Sequence, residues 1–552
     1  MAARPASATG AETTWDNPMA DRPNFLFIVT DQQRADHLSC AGNPLLRTPH
    51  IDSIAARGTR FDRFYVAAPI CMPNRATIMT GRMPSLHGVR MNGIPLGLDA
   101  TCFTHLLKRA GYRTALMGKA HLQNFTGQEK AFATAWPEGL AAPPPDLSEA
   151  VHPLRKGPGY DRELRADASD DPAEDEAEGD FYGFDSFRLC TWHGDSVRGH
   201  YSRWLEQRLP DSDSYRSRDN PLPDPRYDAP QCRRTRIPEE LYPSSYIADM
   251  TVEYLENHAA LGDGTPFFLQ CSFPDPHHPF TPPGRYWDMY DPGDVTLPES
   301  FYHRPHDQTP ALATMHRELA DGTADRRWVL PYAVDEAEAK QIIAVTYGMI
   351  ALIDDCIGRV LAKIEELGLA ENTVVVFTSD HGDWMGDHGI VQKGPLHYQS
   401  LIRVPFIWAD PAAQGRPAAT DALCSSLDIA RSVLARAGLA PFNGMQGQNL
   451  ANVLAGGESG HDCLVIEQQT SRPYMGLTSS VRVRTYQDRR WRMTLWEGQD
   501  FGELYDLDAD PGEIVNLWAA PGLGAKRREL MERMAWKLFE LQDRSPLQTG
   551  EA

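Results

Sequence analysis

Two segments of this chain, NFLFIVT (24–30) and TVVVFTS (373–379), are apolar or β-branched almost without interruption. A strand that shows no apolar–polar alternation is buried on both faces, as in the middle of a parallel sheet covered by helices. PFFLQCSF (266–273) and VPFIW (404–408) have the same character, and RTALMG (113–118) is a shorter example. Helical patterns lie between them. Thr48-Pro49 starts a helix that Gly58 stops, with proline in the first turn and glycine just past the end. About Thr101 to Ala110 puts Phe103, Leu106, Leu107 and Ala110 on one face before Gly111. From about Asp335 to Leu367, Ile342, Val345, Met349, Ile353, Ile357, Val360 and Ile364 recur at three- and four-residue steps. SLDIARSVLARAG (426–438) is another helix. Alternation of this kind predicts an α/β fold with a large, mostly parallel sheet flanked by helices.

The rhythm breaks twice. From about 125 to 245 the chain holds Pro143-Pro144-Pro145, an acidic run from Asp167 to Asp180 and many Pro and Arg residues. This stretch reads as a long insertion over one end of the sheet, with the acidic run a solvated loop. Beyond about 440, shorter alternating strands (CLVIEQ, SVRVR, RWRMTLW) and an amphipathic helix near 524–542 predict a smaller α+β C-terminal domain. The expected organisation is a flexible tail over 1–22, a catalytic domain over 23–440 containing the insertion, and a C-terminal domain over 441–552.

Composition narrows the function. With 54 Lys+Arg against 75 Asp+Glu, the formal charge is −21, which argues against nucleic acid or an anionic membrane as the partner. No segment reaches the roughly 18–20 consecutive apolar residues of a membrane span. The first residues lack the apolar core of a secretory signal. Nine cysteines without a CxxC pair give neither a disulfide framework nor a zinc cluster, so a cytoplasmic protein is expected.

Charged clusters follow the strands, where α/β sheets hold their ligands. Asp31-Gln32 follows the first strand and Asp380-His381 follows TVVVFTS. Together they could hold one divalent cation. Oxygen donors favour Ca²⁺, Mg²⁺ or Mn²⁺, and the imidazole tilts the choice toward Mn²⁺ or another transition ion. Cys71-Met72-Pro73-Asn74-Arg75 places Cys71 at a helix N-terminus, where backbone N–H groups favour an anion. A half-buried structural cysteine and a thiolate nucleophile are both compatible with that position. Gly118-Lys119-Ala120-His121, Pro276-His277-His278-Pro279 and Lys393 add cations after strands in an acidic protein.

In order along the chain, these blocks resemble the type I sulfatases of the alkaline phosphatase superfamily. The resemblance rests on Asp31, Thr48-Pro49-His50-Ile51-Asp52, Cys71-x-Pro73-x-Arg75 with Thr80-Gly81-Arg82, and Gly118-Lys119-x-His121. It continues through His277-x-Pro279, Asp380-His381-Gly382 and Lys393. Leu504-Tyr505-Asp506-Leu507, Asp510-Pro511-x-Glu513 and Asn516-Leu517 carry it into the C-terminal domain. It implies a metal site of Asp31, Gln32, Cys71, Asp380 and His381 for one ion, Ca²⁺ or Mn²⁺. It also implies that a formylglycine-generating enzyme oxidises Cys71 to Cα-formylglycine, whose hydrate is the nucleophile. Arg75, Lys119 and Lys393 would neutralise the sulfate oxygens, His277 or Lys393 would protonate the leaving alcohol, and His121 would deprotonate the second hydroxyl. Asn92 is a candidate polar contact to the substrate.

Three positions depart from the usual pattern: Asn74 replaces a serine, Gln32 a second aspartate, and His381 an asparagine. These changes, with Trp192-His193-Gly194-Asp195 and Gly199-His200-Tyr201, resemble the subgroup that includes phosphonate monoester hydrolases and some bacterial arylsulfatases. In those hydrolases a Tyr/Thr pair stands at the Lys119 and His121 positions, so keeping both cations favours hydrolysis of sulfate monoesters, aryl sulfates among them. The alternatives are a phosphonate monoester hydrolase or phosphodiesterase with side activity on sulfates, and a non-catalytic anion-binding relative. The resemblance also implies a homo-oligomer, dimer or tetramer.

Overall fold

The computed structural model of the chain describes residues 22–128, 139–141, 143–144, 146, 154–167, 179–216, 218–303, 308–326, 330–413, 415–457, 460–477, 479–545 and 548. Residues 1–21 of the expected tail, Pro145 and positions 168–178 of the acidic run lie outside them. A nine-stranded sheet forms the centre. Its strands, in chain order, are β1 (Asn24–Thr30), β2 (Thr59–Phe61), β3 (Arg113–Gly118), β4 (Ser186–Thr191), β5 (Arg198–Gly199), β6 (Phe267–Ser272), β7 (Thr373–Ser379), β8 (Phe406–Ala409) and β9 (Ala419–Thr420). Across the sheet the order is β9-β2-β8-β7-β1-β6-β3-β4-β5. The five strands β7-β1-β6-β3-β4 are mutually parallel, while β8 and β5 run antiparallel to their neighbours.

Both faces of the central strands are covered. Leu26 and Ile28 of β1 and Val375 and Phe377 of β7 enter one core; Phe25, Phe27, Val29, Val374 and Val376 enter the other. Seven helices matter here: α1 (Pro49–Arg57), α2 (Cys71–Thr80), α3 (Phe103–Arg109), α4 (Pro243–Leu261), α5 (Glu336–Glu366), α6 (Leu427–Arg436) and α7 (Gly524–Glu540). Helices α4 and α5 cover the first face, and α2, α3 and α6 the second. Asp335 caps α5 by accepting from the Glu338 N–H, while Glu338 reaches back to the Asp335 N–H. By length and composition α5 could cross a membrane, but 89% of its most apolar window is buried within the protein.

The stretch expected as an insertion contributes β4 and β5 to one edge of the sheet. Helix α4, which follows it, is hard to read from sequence because its buried face mixes Ser244, Tyr246, Ile247, Ala248, Thr251 and Leu255. Downstream, β10 (Leu464–Gln469), β11 (Arg482–Gln487), β12 (Trp491–Trp496) and β13 (Gly502–Asp506) form an antiparallel meander. Leu530 and Met534 of α7 pack on it with Val465, Tyr486, Met493 and Leu504.

Candidate active site

The site is a consequence of register. Thr30 of β1 pairs with Ser379 of β7, so Asp31 and Asp380 emerge side by side. Gly118 of β3 pairs with Ser272 of β6, which brings Lys119 and the 275–279 loop to the same sheet edge. Gly118 has φ 112°, and a Cβ there would fall 1.9 Å from the Ser272 carbonyl oxygen. Only glycine permits that approach. The Lys119 N–H then donates to the same carbonyl at 2.9 Å.

Cys71 is the first residue of α2, a helix buried along its whole length. Its Sγ lies 3.1 Å from His381 Nε2, 3.1 Å from Lys393 Nζ and 3.7 Å from Asp31 Oδ1. Burial and Asp31 oppose ionisation of this thiol, but Lys393, Lys119 and His381 prevail and hold its pKa below the ordinary value. Burial pushes the other eight cysteines up.

Arg75, one turn along α2, ties both carboxylates together. Its Nε donates to Asp380 Oδ2 at 2.7 Å and its Nη2 to Asp31 Oδ2 at 3.4 Å, while Nη1 donates to the Lys119 carbonyl and Ser272 Oγ. Burial raises the Asp31 pKa, yet Lys119, His277, Lys393 and Arg75 bring it well below the carboxylate range. Lys119 also pairs directly with Asp31. Lys393 Nζ lies 3.0 Å from Gln32 Oε1, 2.9 Å from His277 Nε2 and 3.1 Å from His381 Nε2.

The ligand atoms of Asp31, Cys71, Asp380 and His381 all lie within 4.8 Å of one another and are buried. Two carboxylates, an imidazole and a sulfur gathered in one buried cluster are a donor set that fits a divalent cation. Gln32 reaches the same point: its N–H donates to Asp380 Oδ1 at 3.2 Å and its Oε1 accepts from Lys393. Its amide N–H₂ donates to Asp383 Oδ2 at 2.6 Å.

His121 lies two residues beyond Lys119, just past the end of β3, and is buried. Its backbone has φ 54°, its ring contacts Phe125, and its Nδ1 makes no hydrogen bond among the described residues. Burial, then Lys119 and Arg75, push its pKa well below the ordinary value, which favours the neutral ring. Asn92 is exposed at the N-terminus of α2, where its Oδ1 accepts the Met72 N–H at 3.1 Å.

Sequence reasoning missed three contributors. Asp383 fixes the Gln32 amide and accepts N–H groups from Met385 and Gln392. Glu163 accepts the backbone N–H groups of His121, Leu122 and Gln123, although burial pushes its pKa up to about 7. His193 lies 2.6 Å from Lys119 Nζ, with its ring stacked on His277; burial and then Lys119 hold it well below the ordinary histidine pKa. Only the Trp192-His193-Gly194-Asp195 motif gave any signal for these.

Fold and site together define an alkaline-phosphatase-like hydrolase. The chain belongs to the sulfatase family: the family model described as sulfatase matches residues 23–439. A second model, described as N-sulphoglucosamine sulphohydrolase, C-terminal, matches residues 386–543. The chain is 28% identical over 515 residues to an arylsulfatase of Clostridium perfringens, covering 90% of each protein. It is 27% identical over 558 residues to a multifunctional alkaline phosphatase superfamily protein of Trinickia caryophylli, covering 94% of this chain and 95% of that one. The structure of a phosphonate monoester hydrolase of Agrobacterium radiobacter superposes with a TM-score of 0.72 at 25% identity, over 95% of this chain and 97% of that one. Membership makes this a sulfuric ester hydrolase.

Proposed function

We propose that this protein hydrolyses sulfate monoesters, aryl sulfates among them, after a formylglycine-generating enzyme has oxidised Cys71 to Cα-formylglycine. The observation that carries the reading is the placement of Cys71 at the start of α2, within 3.1 Å of both Lys393 Nζ and His381 Nε2. Asp31, Asp380, His381 and position 71, with Gln32 beside them, would hold one Ca²⁺ or Mn²⁺. Such an ion supplies Lewis acidity, lowering the pKa of a coordinated hydroxyl and neutralising negative charge.

The chain's own groups do the rest. Arg75, Lys119 and Lys393 surround the anion and stabilise the charge that builds on its non-bridging oxygens. Lys393 and His277, 2.9 Å apart, form the pair from which the leaving alcohol takes its proton. His121, neutral and with a free Nδ1 edge, is suited to removing a proton when sulfate departs. Asn92 sits at the rim, where it can meet the substrate.

A second reading, phosphonate monoester hydrolysis, is favoured by the Asp-Gln-Asp-His set and by the Agrobacterium radiobacter fold match. The ratio of kcat/KM for an aryl sulfate to that for an aryl phosphonate monoester separates the two. A ratio above one supports the sulfatase reading, and a clear preference for the phosphonate replaces it.

A further inference from the structure

The chain between 125 and 245 sends His193 into the cationic cluster and fixes it there. Strand β4 ends at Thr191, and Trp192 and Gly194 both take positive φ, 62° and 53°, so the backbone turns sharply on each side of His193. A Cβ at Gly194 would fall 2.5 Å from the Pro279 carbonyl oxygen; glycine is what lets this loop lie flat on the 275–281 segment. The Gly194 N–H donates to Asp275 Oδ1 at 3.2 Å and the Asp195 N–H to Thr281 Oγ1 at 2.9 Å. Asp195 is itself buried and paired with Arg233. The result is a ring lying parallel to His277, with centroids 3.5 Å apart and 10° between planes.

A lysine ammonium has three N–H donors. Lys119 gives one to Asp31 and one to His193 Nε2, which leaves one for a ligand. Accepting that bond requires an unprotonated Nε2, so the ring proton of His193 sits on Nδ1.

We propose that His193 is a positioning residue that aims the remaining N–H of Lys119 at the anion bound beside Cys71. The proposal rests on the sulfate-ester reading above. The side chain makes two separable contacts, a flat ring that stacks on His277 and an acceptor that holds Lys119, and sulfate affinity depends on the second. His193→Phe keeps the first and loses the second. His193→Gln keeps an acceptor and loses the ring.

The test is calorimetric binding of inorganic sulfate to the wild-type protein and both variants, with Ca²⁺ present and the state of Cys71 matched by mass. His193→Phe is expected to weaken sulfate binding by about tenfold, the loss of one well-aimed charged hydrogen bond. His193→Gln is expected to stay within about threefold of wild type, with thermal midpoints unchanged in both. Sulfate binding by His193→Phe at wild-type affinity, equal losses in both variants, or no sulfate binding by the wild-type protein would each overturn the proposal. Binding that depends on His193 in a protein that cleaves no sulfate ester would instead overturn the proposed function and leave the role of His193 intact.

Discussion

Lys393 holds its ammonium 3.1 Å from the sulfur of Cys71. Burial disfavours a charged lysine, but Cys71, Asp31 and Asp380 raise its pKa above the ordinary value, so the group stays cationic where negative charge must build. Lys393→Met fills the same buried space with a neutral chain. Its kcat toward a sulfate ester is expected to fall by about 10²–10³-fold, the scale of losing one preorganised charge stabiliser, with unchanged circular dichroism. Activity within threefold of wild type would remove Lys393 from the chemistry.

The donor set predicts a linked metal response. If Ca²⁺ or Mn²⁺ binds at a hundredth of its concentration, stability rises by about 2.7 kcal/mol. Thermal unfolding with the ion against chelator should show a shift in the wild-type protein, and that shift should vanish in Asp380→Asn. An equal shift in both proteins would place the ion elsewhere.

Arg492 joins the C-terminal sheet to the segment that carries Lys393. Fully buried, it donates to Glu503 at 2.8 Å and pairs with Glu513, whose other oxygen accepts the Gln399 N–H at 2.7 Å. Arg492→Met leaves two buried carboxylates without their cation, which costs about 3–5 kcal/mol. Urea unfolding measures this directly, and a variant as stable as wild type would contradict it.

His397 gives a pH signature. Both ring nitrogens lie 2.8 Å from partners, Thr485 Oγ1 and Gln468 Oε1, and burial lowers its pKa to about 3. Because the folded pKa lies below the unfolded one, the stabilising contribution is fully present above about pH 6.5 and lost as pH falls toward 3. The stability gap between wild type and His397→Gln should therefore shrink by about 1.4 kcal/mol per pH unit below that point. A gap that does not change between neutral and acid pH would show that the ring is not buried neutral.

Strands β1, β3, β6 and β7 were legible because burial on both faces leaves an apolar signature, and the groups that follow them inherit their placement from strand register. Asp31, Asp380, Lys119 and His277 are of this kind. Helix α4 and strand β4 were not legible, since their buried faces include Ser, Thr and Tyr side chains whose polar atoms are satisfied only in three dimensions. The same holds for Glu163, which acts through backbone N–H groups about 40 residues away in sequence, a pairing no local pattern encodes. Asp383 does not stand out by type or spacing, and His193 shows only through the Trp192-His193-Gly194-Asp195 motif; their contacts, to Gln32, Met385 and Gln392 and to Lys119 and His277, are set by the fold.

The chemistry turns on what Cys71 becomes. The decisive measurement is the mass of the peptide containing Cys71, taken from active protein and correlated with its sulfate-ester turnover across preparations of differing conversion. Turnover that rises in proportion to the aldehyde fraction is the expected result. Full turnover in a preparation whose residue 71 is entirely thiol would contradict the formylglycine mechanism.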